Sequence, residues 1–257
     1  MPTPEAIKVP ALERALAALE ILSESKHGFS ISEMARRLGV PKSSIHLILT
    51  TLERHGYLLK NPQSRRYSVG LKLVGLARMA LDGLQLRQQA IPFLLSLAAK
   101  TGLTVHMGVL EGGEAVLIER IESPGLVKLN TWVGQRMHVN CTALGKALIA
   151  FLPEEEFKRT IQPRRLIKHN QNTISSMAKL REELNRVRLL GYAVDDEEEE
   201  VGVRCVGAPI FDHHGRVAAA LSVAGTTVQI PAGEVEGLAR MVQDTAGKIS
   251  RELGYRR

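Results

Sequence analysis

Cysteine is nearly missing from this sequence: Cys141 and Cys205 are the two in 257 residues, and neither has a C-x-x-C partner. That scarcity argues against a disulfide scaffold and against a structural zinc site, and leaves two reduced thiols inside a fold. Long apolar runs are missing too. The longest, Ala147 to Leu152, is far short of the roughly 20 residues that a membrane-spanning helix needs. The opening Met1-Pro2-Thr3-Pro4-Glu5 lacks the basic-then-apolar pattern of a secretory signal, so the expected compartment is the cytoplasm, with no membrane partner.

What remains is an ordinary globular composition, 44% hydrophobic and 24% charged with a mean hydropathy of −0.03, enough for one or two packed cores. The net charge of +7 is unevenly placed. Residues 1–80 hold 12 Lys+Arg against 6 Asp+Glu, whereas residues 81–257 hold 22 against 21. A basic module joined to a near-neutral one suggests a part that binds a polyanion and a part with another task.

The basic module has a legible order. Behind Pro10, the apolar positions Leu12, Leu16, Leu19 and Leu22 predict an amphipathic helix ending near Lys26-His27-Gly28. Ser30-Ile31-Ser32-Glu33 is a capping box that opens a second short helix, and Gly39 suits its end. A third helix is predicted from Pro41, with Ile45, Ile48, Leu49 and Leu52 turned inward and Lys42, Ser43, Ser44, His46 and Thr50 left on a polar face. A tight turn between two helices, the second starting with small polar and basic residues, fits a helix-turn-helix or a plain αα-hairpin. The following segment favours the former: Tyr57 to Lys60 and Arg65 to Val69 read as two strands around Asn61-Pro62-Gln63-Ser64, a wing with arginines near its tip. Lys42, Ser43, Ser44, His46 and Thr50 are the candidates for base contacts, and Lys60, Arg65 and Arg66 for phosphates.

Leu12-Glu13-Arg14-Ala15-Leu16, the stretch from Ser30 to Ser44, Leu52-Glu53-Arg54-His55-Gly56-Tyr57-Leu58 and Arg66-Tyr67-Ser68-Val69-Gly70-Leu71-Lys72-Leu73 together resemble the IclR family of bacterial transcription regulators. The resemblance implies an N-terminal DNA-binding domain, a linker helix used in dimerisation, and a C-terminal GAF-like domain that binds a small metabolite.

Residues 70–79 are too apolar all round for a free surface helix, and residues 84–89 and 93–100 read as further helical segments separated by Ile91-Pro92. Beyond them come a predicted hairpin over 104–121, a strand over 127–132, helices over 142–150, 153–159 and 177–190, strands over 192–194, 203–210 and 217–228, and a closing helix over 232–253. A mixed sheet flanked by helices is expected, making the chain α+β. The expected domains are a winged helix over 8–72, a linker over 73–88 and an effector-binding domain over 89–257.

Two places could hold a ligand. The start of the helix at 142–150 offers free N–H groups and small residues that suit a carboxylate. Thr142-Ala143-Leu144-Gly145-Lys146-Ala147 resembles a family motif, which carries effector-contacting amides onto Ala143 and Leu144. Gly191-Tyr192, Asp195 and the acids after it, and Gly202-Val203-Arg204-Cys205-Val206 resemble the family's effector-domain signature. That likeness implies that Asp195 and Cys205 line the pocket, with Ser222 as a hydroxyl donor. A second family serine is replaced by Ala224, which leaves room for a larger or more apolar ligand than the smallest 2-oxo acids.

No Cys-His-Asn signature, P-loop or helical His pair is present, and Asp212-His213-His214 reads as a solvated turn. The chain is therefore expected to be a regulator and not an enzyme, without cofactor or metal. Its expected partners are double-stranded DNA with a roughly palindromic operator, a small organic acid, and a second copy of itself. Whether dimers pair into tetramers, and whether the regulator represses or activates, stays open.

Overall fold

The computed structural model describes residues 9–25, 27–82, 85–122, 125, 128–161 and 166–256. Two compact units divide at Gly83/Leu84. Of the sequence expectations, those for Lys26, Leu84 and Val127 lie outside the described residues.

In the first unit, helices α1 (Pro10–Ser23), α2 (Ile31–Leu38) and α3 (Lys42–Arg54) precede strands β1 (Leu58–Lys60) and β2 (Tyr67–Val69) and helix α4 (Lys72–Asp82). Ser30 caps α2 by accepting from Glu33 N, and the Glu33 carboxylate accepts from Ser30 N in return, an arrangement worth about 1 kcal/mol. Gly39 closes the helix at φ 64°. Pro41 is the residue before α3 and not its first turn. Ala18, Leu22, Met34, Ile45, Leu49, Leu58 and Tyr67 belong to the core; of the stripe predicted for the first helix, Leu19 and Leu22 reach it, whereas Leu12 and Leu16 stand exposed on the first unit. Gly28, at φ 65°, lets the chain pass so close that an added Cβ would stand 2.1 Å from the Tyr67 carbonyl oxygen. The close approach lets Phe29 bridge to Tyr67 and seats the hairpin on the helices.

The second unit begins with α5 (Gln85–Thr101), continuous through Pro92 where the sequence suggests two pieces. A helix tolerates the single lost donor when its other turns are packed, and here Ala90, Leu94, Leu97 and Ala98 are buried. Strands β3 (Thr104–Glu111), β4 (Glu114–Ile121), β5 (Arg136–Met137), β6 (Ala193–Asp196), β7 (Val203–Phe211) and β8 (Val217–Thr226) make one sheet in the order β5-β4-β3-β8-β7-β6. Every pair in it is antiparallel, so the sheet is not mixed. Residues 128–132 hold no strand; the edge position falls to β5 instead.

Helices α6 (Ala143–Ile149), α7 (Glu154–Thr160), α8 (Met177–Leu190) and α9 (Val235–Glu252) complete the unit, α9 following a 3-10 turn over Ala232–Glu234. Strand alternation puts Gly108 and Gly207 under α6, where an added Cβ would meet the Leu144 side chain at 2.7 Å and the Ala143 carbonyl at 2.9 Å. Cys205, Ser222 and Ala224 share that face through the registers Gly207↔Ser222 and Cys205↔Ala224. Helices α5 and α9 pack on each other and on the sheet.

Candidate nucleic-acid interface and ligand pocket

The third helix separates its two faces cleanly. Ile45 and Leu49 are fully buried, which turns Lys42, Ser43, His46, Leu47 and Thr50 to the outside. Ser43, His46, Leu47 and Thr50 stand at i, i+3, i+4 and i+7, one continuous exposed stripe. Ser44 lies to the side, half-buried, and accepts from Arg14 Nη1 at 3.4 Å. Leu47, 68% exposed, went unnoticed in the sequence because a leucine among Ile45, Ile48 and Leu49 blends into the apolar signal. Its helical offset from Ser43 was the available clue.

The wing turns on Asn61, whose Oδ1 accepts from Gln63 N and Ser64 N. Arg65 follows at φ 54° and is exposed. Arg66 points elsewhere: its Nε reaches the carbonyls of His27 and Gly28, and Nη2 reaches Glu33 Oε1 at 3.0 Å. The Ser30 backbone and side chain, followed by Arg66, hold the Glu33 carboxyl down at about 2. Lys60 places its ammonium 5.3 Å from the centre of the Tyr67 ring.

In the second unit a cavity of about 350 Å³ takes in Ala143, Leu144, Asp195, Cys205 and Ser222 together, all five of the sequence-predicted effector residues. Ala143 and Leu144 are the first two residues of α6, where helical N–H groups have no intrahelical acceptor. Thr142 caps the third, accepting from Gly145 N at 3.0 Å. Asp195, 1% exposed, accepts from Glu198 N at 2.9 Å. Burial raises its carboxyl to about 7, against the pull of the Glu198 amide and Lys146. Cys205, opposite Asp195 across β6 and β7, has its thiol pushed up by burial and then by the Asp195 charge, which keeps it protonated and unreactive.

The pocket also holds His106, Thr131, His169 and Glu199, which sequence reasoning missed. His106 sits opposite Ser222 across β3 and β8, and its Nε2 is 2.8 Å from Thr131 Oγ1. Burial, then Arg120, lowers it to about 4, so the ring is neutral near pH 7. Among the described lining residues there is no lysine or arginine. Lys146 lies beyond the wall, its side chain wholly buried, with Nζ 2.5 Å from Glu198 Oε1 and 3.4 Å from Glu183 Oε1.

Three side chains could hold a metal ion: His138, Cys141 and His169 bring one donor atom each to within 4.8 Å of one another. Asp212 instead accepts from the backbone N–H groups of His214 and Arg216, as expected for a turn. A larger groove, about 860 Å³, lies beside Phe151, Phe211 and Tyr255. Its Ser250 is already used, accepting from Phe211 N and donating to the Ala246 carbonyl.

The helix-turn-helix domain of the IclR family matches residues 11–62, and the C-terminal domain of bacterial IclR transcriptional regulators matches residues 78–251. The HTH-type transcriptional regulator XynR of Escherichia coli K12 is 36% identical, over 96% of this chain and 98% of its own. The crystal structure of an IclR transcriptional regulator from Alicyclobacillus acidocaldarius is 32% identical, covers 95% of this chain and 98% of its own, and superposes with a TM-score of 0.82. An IclR homologue from Microbacterium hydrocarbonoxydans, complexed with 4-hydroxybenzoate, shares the fold with a TM-score of 0.81 at 23% identity, over 95% and 99% of the two chains. With both domains matched over nearly the whole chain, the protein belongs to the IclR family and is a DNA-binding transcription regulator of that type.

Proposed function

We propose that this regulator binds a roughly palindromic operator as a dimer, in the cytoplasm, and that an organic acid in the second unit's cavity controls the binding. The observation that carries the DNA half is the exposed stripe Ser43, His46, Leu47 and Thr50, backed by a fully buried Ile45 and Leu49. The hydroxyls and the imidazole suit base edges, and Leu47 suits a thymine methyl. Exposed Lys42 adds a further donor for base edges, and Lys60 and Arg65 add phosphate contacts. Dimer formation is supported by Leu12, Leu16, Leu71, Val74 and Met79, each at least 52% exposed, which need a cover. Two copies would set their third helices about 34 Å apart, in successive major grooves.

The cavity supports a ligand that combines an acid group with an apolar body. Ala143 and Leu144 offer N–H groups, Ser222 and Thr131 hydroxyls, and Leu129, Met137 and Ala224 an apolar wall. Control follows if the ligand binds one arrangement of the dimer better than another, since only differential affinity shifts a population. A regulatory rather than enzymatic role is supported by both thiols, Cys141 and Cys205, being pushed up by burial, which leaves neither as an activated nucleophile.

Selection from a random duplex DNA pool at physiological salt tests this reading. The wild-type protein should enrich a consensus of two half-sites, and Leu47→Ala should lose the preference at one thymine-bearing position in each. Salt-sensitive retention without a consensus would reject operator recognition by this face.

A further inference from the structure

His138 Nδ1 lies 3.1 Å from His169 Nε2, although the two residues come from segments 31 positions apart. Cys141 Sγ joins them, all three donor atoms within 4.8 Å of one another. A tetrahedral zinc ion with bonds of about 2.0–2.3 Å holds its ligand atoms roughly 3.3–3.8 Å apart, so the imidazole pair is nearly at coordination distance and the thiol, within 4.8 Å of both, must close the remaining gap.

The backbone around these groups is tied down. Asn140 sits between His138 and Cys141 in sequence, and its Nδ2 donates to the carbonyls of Ile167 at 3.0 Å and Ile174 at 2.8 Å. The segment bearing His169 is thereby fastened to the turn bearing the other two. Thr142 Oγ1 donates to the His138 carbonyl at 2.8 Å, and His169 N donates to Thr173 Oγ1 at 3.1 Å. Such fixing lowers the ordering cost of a metal site, as partners behind metal ligands do elsewhere.

We propose that His138, Cys141 and His169 form a Zn²⁺ site beside the ligand cavity, which His169 lines, with a fourth position open to water or to an anionic ligand. Two imidazoles and a thiolate select zinc over magnesium or calcium, which take oxygen ligands. As the Zn–S bond forms, the Cys141 thiol proton leaves to solvent, and the hydrogen shared between the two rings moves to the remote nitrogen of its own ring.

The open position deepens, and for the ligand's role rests on, the organic-acid reading of the cavity. Asp195, Glu199 and Glu200 line it while no lysine or arginine does among the described residues. A carboxylate entering there lacks a cationic side chain to meet it. His169 lines the same cavity, so a zinc ion bound to it would supply that charge.

The test is titration of chelator-treated full-length protein with Co²⁺, a zinc surrogate whose thiolate complex absorbs in the near ultraviolet. One equivalent should produce the thiolate-to-cobalt band together with the intense visible bands of tetrahedral cobalt, and Zn²⁺ should displace both. Cys141→Ser should abolish the ultraviolet band, and Cys205→Ser should keep it. His169→Gln, at an exposed position, should weaken binding by more than the roughly 10–100-fold that losing an outer partner costs. Added azide should then shift the visible bands, reporting the open position. Absence of the thiolate band, or its loss in Cys205→Ser instead, would overturn the site, and visible bands unmoved by azide would overturn the open position. No organic acid enters the titration, so metal binding fails or succeeds separately from the organic-acid reading.

Discussion

Arg66 Nη2 stands 2.9 Å from Glu33 Oε2 and 3.1 Å from the Gly28 carbonyl, fastening the wing to the first turn of α2. Two adjacent arginines thus have different work. Arg66 is a strut, and Arg65 is free to meet a phosphate.

Arg66→Ala should lower the unfolding free energy of the first unit by about 1 kcal/mol. The ion pair is about one-third exposed on both sides and therefore screened, so most of that loss comes from the carbonyl contacts. Arg65→Ala should leave stability within about 0.5 kcal/mol, weaken specific and random DNA alike, and reduce the slope of log K against log salt by about 1. Urea unfolding and salt-dependent binding separate the two; an equal loss of salt slope for both variants would show that Arg66 also reaches the phosphates.

A second prediction concerns Lys146. Its ammonium is buried against Glu198 Oε1, while Glu198 Oε2 is buried without a hydrogen-bond partner. Burial pushes the Glu198 carboxyl up to about 7 despite Lys146, a sign that desolvation outweighs the attraction. Lys146→Met should therefore destabilise by about 3–5 kcal/mol, because it leaves buried Glu198, and beside it the less buried Glu183, without their cation, whereas Lys146→Met with Glu198→Leu should recover most of the loss. Urea unfolding of the two variants at pH 8 checks this; a double variant as unstable as the single one would mean that the lysine acts through packing alone.

Much of this was legible in the amino-acid order. The capping box at Ser30, the stop at Gly39 and the stripe Ile45, Leu49, Leu52 are local signals, written within one or two turns of helix. The pocket was legible in part. Asp195, Cys205 and Ser222 were found through likeness to a family, and the strand registers explain why they meet: Asp195 pairs with Cys205, and Gly207 with Ser222. His106 and His169 were not found, because His106 reaches the cavity through a pairing with a strand more than a hundred positions later and His169 sits in a segment without strand or helix. No periodicity marks such residues. The edge strand was misplaced for a similar reason: β5 is two residues long, too short for alternation to show.

Asp195 gives the third prediction, with a definite sign. Its carboxyl moves from an ordinary value of 3.8 to about 7 in the fold, so between those values the folded protein holds a proton that the unfolded chain has released. Stability must then fall as pH rises from about 4 to about 7, and stay level above, as far as this group is concerned. Glu198 and Glu199, also raised to about 7, act in the same direction. His106, lowered to about 4, acts the opposite way, adding stability as pH rises through its folded value toward 6.5. Asn at position 195 does not titrate, and the neighbours are common to both proteins. The stability of Asp195→Asn minus that of the wild type should therefore grow from pH 5 to pH 7 and then level off, measured by urea unfolding of the full chain at each pH. A difference that stays constant over this range would mean that Asp195 is ionised throughout, held by a cation or a solvent path into the cavity that offsets its burial.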